Sequence, residues 1–216
     1  IAVSDGIDSD YQTDNDANLL PLKSLFNDWY SRDTSKKIRA VKQAKAKAGE
    51  RMTTNAIYGY KKDPNNSKNW IVDPVAAEIV KRIFNEAKSG KSLPKIARAL
   101  IEDKVETPSQ RRVSLGDAPT ARSYSPYGWH RDTIVKILSR MEYLGHTVNG
   151  RTRKTSYKDK KQIWLRKEDW LIFKDTHEAI IDRDTFDIVQ KMRQHKRVMG
   201  SPRFEAGHEN LFAGLV

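Results

Sequence analysis

The 216-residue sequence contains no cysteine, which excludes disulfide staples and thiolate metal sites from this chain. It has no apolar run of about eighteen residues and no leader pattern, so the expectation is a soluble, cytoplasmic chain with no membrane partner. The five histidines are scattered and none pairs with another at i, i+4, so no metal or other cofactor is assigned. Acidic residues are outnumbered: 28 Asp and Glu face 40 Lys and Arg, for a net charge of +12. Apolar content is a modest 38%, yet five Trp argue for a packed core rather than disorder. The length allows one large domain or two small ones. The chain opens on Ile1 rather than Met, and the expectation is a piece of a longer protein.

The charge that is present is unevenly placed. Up to Tyr30 there are six Asp against one Lys, whereas Ser31–Arg51 holds eight basic residues against two acidic. So sharp a change of sign points to a polyanionic partner for the chain from Ser31 onward. The change falls inside one predicted long helix, Asn15 to Gly49. Asn15, Asp16 or Asn18 caps it, Pro21 falls in its first turn, and Gly49 gives a left-handed stop. Its front half spaces Leu19, Leu22, Leu25, Phe26, Trp29 and Tyr30 as a buried stripe. Its back half carries Lys36, Arg39, Lys42 and Lys47 among alanines. One end suits a protein partner and the other an anion.

Ahead of the helix, Ile1–Val3 reads as a short strand, and Asp5, Asp8 and Asp10 as a solvated loop rather than a metal site. After it, Arg51, Thr53 and Thr54 read as an extended arm of the kind that tracks a nucleic-acid backbone or enters a minor groove. Tyr58–Tyr60 and Trp70–Val72 flank a turn at Asp63–Asn66, a hairpin that carries Lys61 and Lys62. A helix from Asp73-Pro74 to Gly90 buries Val75, Ile79, Val80, Ile83 and Phe84. A second, capped by Ser92 and closed by Thr107-Pro108, buries Leu93, Ile96, Ala97, Leu100 and Ile101. Residues 109–128, with Arg111, Arg112 and Arg122, read as a long polar connection. A third helix, His130 to Met141, buries Ile134, Val135, Ile137 and Leu138. It leaves His130, Arg131, Thr133, Lys136 and Arg140 as candidates to meet a groove, with Arg131 able to take a guanine bidentately. Tyr143–Val148 and Gln162–Phe173 read as a long hairpin whose basic tip includes Arg151, Arg153 and Lys154. A last helix spans Asp182–Val198. The fold class is therefore mixed α+β, mainly helical: a long N-terminal helix, then a three-helix, helix-turn-helix-like bundle with a β-hairpin and a last helix.

Laid out in this order, the chain resembles the large serine recombinases, the integrases and transposases of mobile elements. The likeness is strongest from Tyr58 to Gln190, through YGYKKD, WIVDPVAAEIVKRIFNEAKSGKSLPKIARALIEDKVETPS, WHRDTIVKILSRMEYLGHTVNGR and HEAIIDRDTFDIVQ. The resemblance implies four parts. Residues 1–50 are the end of a catalytic domain, 51–57 a DNA-tracking arm, 58–200 the recombinase DNA-binding domain, and 201–216 a linker to a zinc ribbon beyond this chain, where zinc is expected. It implies sequence-specific binding of double-stranded DNA in a bacterial or phage mobile element. The long helix is then a self-association element that pairs subunits as dimers or tetramers. The family's nucleophilic serine and arginine cluster find no matching segment here: Ser4, Ser9, Ser31 and Ser35 sit in no such motif. By resemblance the whole protein would attack a phosphodiester with a serine, hold a phosphoserine ester and religate, without a nucleotide cofactor. This chain alone is expected to bind DNA and not to cut it. Two other readings share the basic helices. One is a helix-turn-helix transcription regulator with a dimerising helix; the other is an RNA-binding or scaffold module.

Overall fold

The computed structural model describes residues 14–66, 68–119, 125–159 and 161–199. The first helix, α1, runs from Asp14 to Lys47, 34 residues, or about 50 Å at the usual rise. Alanines in its back half and an i, i+4 ion pair between Lys37 and Asp33 at 2.8 Å favour helix over coil. Gly49, at φ +80°, ends it: the Gly49 amide donates to the Ala46 carbonyl and the Glu50 amide to that of Lys45, which satisfies two of the last carbonyls. Pro21 is not in the first turn, because the helix begins earlier than its cap candidates suggested. Pro21 therefore leaves the Ala17 carbonyl without its helical donor. The apolar stripe is also not buried among the described residues: Leu25, Phe26, Trp29 and Tyr30 are each about two-thirds exposed. The strand expected at 1–3, the acidic loop, the side chain of Leu19 and the linker after residue 200 lie outside the described residues.

The chain folds back on itself into two units. One combines α1 and the arm's first residues with Val148–Ile172. In it β4 (Thr152–Lys154) pairs antiparallel with β5 (Gln162–Trp164), Thr152 opposite Trp164. The expected single long hairpin is thus broken. Met141–Leu144 forms a 3-10 turn rather than strand, and a second ladder joins β3 (Thr147–Asn149) to β6 (Leu171–Phe173). The segment is tied to α1 at both ends. The Tyr157 hydroxyl donates to Asp28 at 2.6 Å and Lys158 pairs with the same carboxylate at 2.8 Å. At the other end Asn149, 3% exposed, donates to the carbonyls of Ala46 (3.2 Å) and Glu50 (2.8 Å) and accepts from the Met52 amide (3.4 Å).

The other unit, Thr53–Thr147 with the chain from Phe173, holds the core. Here β1 (Tyr60–Lys62) pairs with β2 (Trp70–Val72) in the register Tyr60↔Val72. The helices are α2 (Pro74–Lys88), α3 (Leu93–Glu102), α4 (Pro108–Ser114), α5 (Arg131–Leu138) and α6 (Arg183–Met199). Val80, Ile83 and Phe84 of α2, Ile96 and Leu100 of α3, Ile134 and Leu138 of α5, and Phe186 and Val189 of α6 close on Tyr143. The expected last helix, α6, joins this core by packing on α2. Periodicity misplaced two side chains. Val75 is 59% exposed and Ile101 43%, and Ala76 and Ala77 take the buried positions at the start of α2. Nor do Thr107 and Pro108 close α3: Lys104, at φ +49°, does. Thr107 instead caps α4, its hydroxyl accepting from the Gln110 amide at 3.3 Å. So part of the expected loop at 109–128 is helix. Trp129 is a core anchor, 3% exposed, with its indole N–H on the Val105 carbonyl at 2.9 Å.

Candidate nucleic-acid interface

The arm from Thr53 onward, with the residues that follow it as far as Tyr60 at the start of β1, forms one wall of a cleft of about 440 Å³ in the second unit. The opposite walls are α4, through Arg111, Arg112 and Leu115, and α5 with its exit, through Thr133, Lys136, Ile137 and Arg140. Its base is aromatic. Tyr143 is fully buried, its hydroxyl donates to the Tyr58 carbonyl at 2.8 Å, and the Tyr58 hydroxyl donates to the Glu106 carbonyl at 3.2 Å. Burial pushes both phenols well above the ordinary tyrosine range, so both remain neutral donors. Gly59 makes the close approach possible. At φ +98°, a Cβ there would stand 2.9 Å from Ile180 Cδ1 and 3.2 Å from Val80 Cγ2.

The two acids of the lining are both engaged. Asp73 receives two hydrogen bonds from Arg111, at 2.8 and 2.9 Å, and Asp117 lies 3.6 Å from Lys62. Burial alone would raise the Asp73 carboxyl, but the Arg111 guanidinium outweighs it and holds the group below its ordinary value. Arg140 lies 3.6 Å from Glu142. Lys136, on the exposed side of α5, adds a cation to the lining.

The cleft gathers five of the residues expected from sequence: Thr53, Thr54, Thr133, Lys136 and Arg140. His130 and Arg131 stand outside its lining at the start of α5, exposed, with Arg131 3.5 Å from the neighbouring Asp132. Lys61 and Lys62 are half-buried on β1. The remaining candidates belong to the other unit. Lys36, Arg39, Lys42 and Lys47 are exposed on α1, and the Arg39 Nε donates to the Ser35 carbonyl at 3.3 Å. Arg51 is half-buried on the arm. Arg151 stacks over Trp170 at 5.0 Å, and Arg153 and Lys154 are exposed on β4. Sequence reasoning missed Arg111 and Arg112 as cleft residues, having placed them in a loop. The available signal was Thr107-Pro108, which is an N-cap with a first-turn proline after it. Among the described residues no three His, Asp or Glu side chains are disposed to hold a metal, and no helix is long and apolar enough to cross a membrane.

Residues 74–196, from the first residue of α2 into α6, match the family model described as Recombinase. The chain belongs to the recombinase family. This recombinase chain also resembles two solved structures. One is the crystal structure of an "LSR-DNA complex", at 17% identity and a TM-score of 0.41, covering 74% of this chain and 38% of that one. The other concerns the sequence requirements of the Listeria innocua prophage attP site, at 18% identity and a TM-score of 0.41, covering 73% and 51%. The recombinase chain thus spans about half or less of the length of those proteins. No curated protein matches it.

Proposed function

We propose that this recombinase chain binds duplex DNA in a sequence-specific way, as the DNA-binding part of a serine recombinase of a mobile element. The observation that carries the reading is the convergence, in one cleft of a recombinase-family fold, of hydroxyl-bearing arm residues with Thr133, Lys136 and Arg140. An arm can track the phosphate backbone while the polar first turns of a short helix meet base edges, with the helix's positive end towards the DNA. On this reading residues 1–50 are the end of a catalytic domain, 51–57 the arm, and 58–200 the DNA-binding domain. The strand-cutting serine belongs to the whole protein, and Ser31 and Ser35, both on α1, have no part in it. The exposed stripe of α1 serves self-association.

Arg131 and Lys136 separate reading from anchoring. In a competition assay, Arg131→Ala lowers affinity for the specific half-site about 10- to 100-fold more than for random duplex. Lys136→Ala lowers both alike. If Arg131→Ala keeps the wild-type ratio of specific to random binding, α5 loses its reading role. A helix-turn-helix regulator would share these results, and a covalent protein–DNA adduct formed by the whole protein distinguishes the two.

A further inference from the structure

Arg111 and Arg112 are adjacent on α4, roughly 100° apart around its axis, and they are used differently. Arg111 is committed to the fold through its two bonds to Asp73 and a third contact, 3.5 Å, to Glu106. Arg112 is half-buried in the lining of the cleft, and its Nε–H is buried with no hydrogen-bond partner among the described residues. Neither carboxylate of the lining answers it among the described residues: Asp73 is paired with Arg111 and Asp117 lies against Lys62. A buried guanidinium donor without an acceptor is costly, and arginine cannot escape by losing its proton. Among the described residues the cleft thus holds a guanidinium N–H without an acceptor, in a lining that also carries Lys136 and the hydroxyls of Thr53 and Thr54.

We propose that Arg112 is a phosphate-binding residue, its guanidinium taking a backbone phosphodiester of DNA at this cleft, while Arg111 beside it is structural. The proposal rests on the DNA-binding reading above and adds a site to it. A phosphate fits better than a base edge. Its oxygens accept from several directions, so donors from the arm, α4 and α5 can share it, whereas a base edge demands one coplanar pair.

Random duplex DNA, titrated by fluorescence anisotropy between about 50 and 200 mM salt alongside thermal unfolding, tests this. Arg112→Ala weakens binding about 10- to 100-fold and lowers the log–log salt slope by about one, with Tm unchanged. Arg112→Lys restores the slope and most of the affinity, because a phosphate accepts a point charge. Arg111→Met lowers Tm, because it strands Asp73. Wild-type affinity and slope in Arg112→Ala overturn the proposal, and so does a fall in its Tm with the slope intact. Loss confined to one DNA sequence and not rescued by lysine would make Arg112 a base reader instead. If inorganic phosphate raises the Tm of the wild type but not of Arg112→Ala, while both bind DNA equally, the site is for a free anion and the assignment to DNA fails. Failure of the wild type to bind any duplex is a different result, since it removes the DNA-binding reading itself.

Discussion

An ionised carboxylate with 4% of its side chain exposed persists only with a partner, and Asp73 has one in Arg111. The pair crosses from the N-cap position of α2 to α4, and so fastens the wall of the cleft to the core. Removing the guanidinium strands a buried charge, and Arg111→Met should cost about 3–5 kcal/mol near neutral pH. The pH dependence has the sign of the shift. Asp73 titrates below its unfolded value of 3.8, so the pair's contribution is complete above that value and is lost as the pH falls through the folded pKa. The Tm gap between wild type and Arg111→Met should therefore be wide at about pH 6 and close as the pH drops below about 4. Thermal melts across that range check it, and a constant gap would mean that the pair contributes nothing as a charge. Asn149 works at the same scale by different means. One buried amide donates to the carbonyls of Ala46, in the last turn of α1, and of Glu50, just past it, and accepts from the Met52 N–H, so it fixes the exit of the chain from that helix.

At the scale of elements, α1 divides in two. Its front half exposes Leu22, Leu25, Phe26, Trp29 and Tyr30 on consecutive turns, more contiguous apolar surface than a helix usually leaves in water. Its back half exposes Lys36, Arg39, Lys42 and Lys47. Pairing of subunits through the front half predicts that Trp29→Ala weakens self-association in sedimentation velocity, whereas Lys42→Ala leaves it alone and weakens DNA binding. If both changes act on the oligomer, the two halves do not divide the work. The short helix α5 divides around its axis instead. Ile134, Ile137 and Leu138 are spent on the core, which leaves Thr133 and Lys136 for the cleft and Arg131 at the exposed start.

Across the whole molecule, a net charge of +12 is compatible with a stable fold only if it is spread, and it is carried on both units. Binding to a polyanion should then be dominated by counterion release. With roughly six to ten phosphates neutralised, affinity for duplex DNA falls about 10³- to 10⁵-fold between about 50 and 200 mM salt. A nearly flat salt titration would sink this expectation, and with it the idea that the basic residues of α1, the arm and the β4–β5 hairpin work on the phosphate backbone.

The sequence alone determined the elements whose signals are local. Gly49 and Gly90 end α1 and α2 because left-handed backbone is readable from composition. The apolar periods of α2, α3, α5 and α6 mark their inner faces to within a residue or two, as the misplacement of Val75 and Ile101 shows. The resemblance to the family was carried by four sequence blocks in order, from YGYKKD to HEAIIDRDTFDIVQ. Only the tertiary structure decided which polar residues answer one another. Asp73 and Arg111 are 38 residues apart, and Asn149 and Ala46 are 103 apart. Nothing in either neighbourhood marks the partnership, because a hydrogen bond between distant segments depends on how the core brings them together. That is also why Arg111 and Arg112, identical in type and adjacent in the chain, could be told apart only once Asp73 was seen to face one of them.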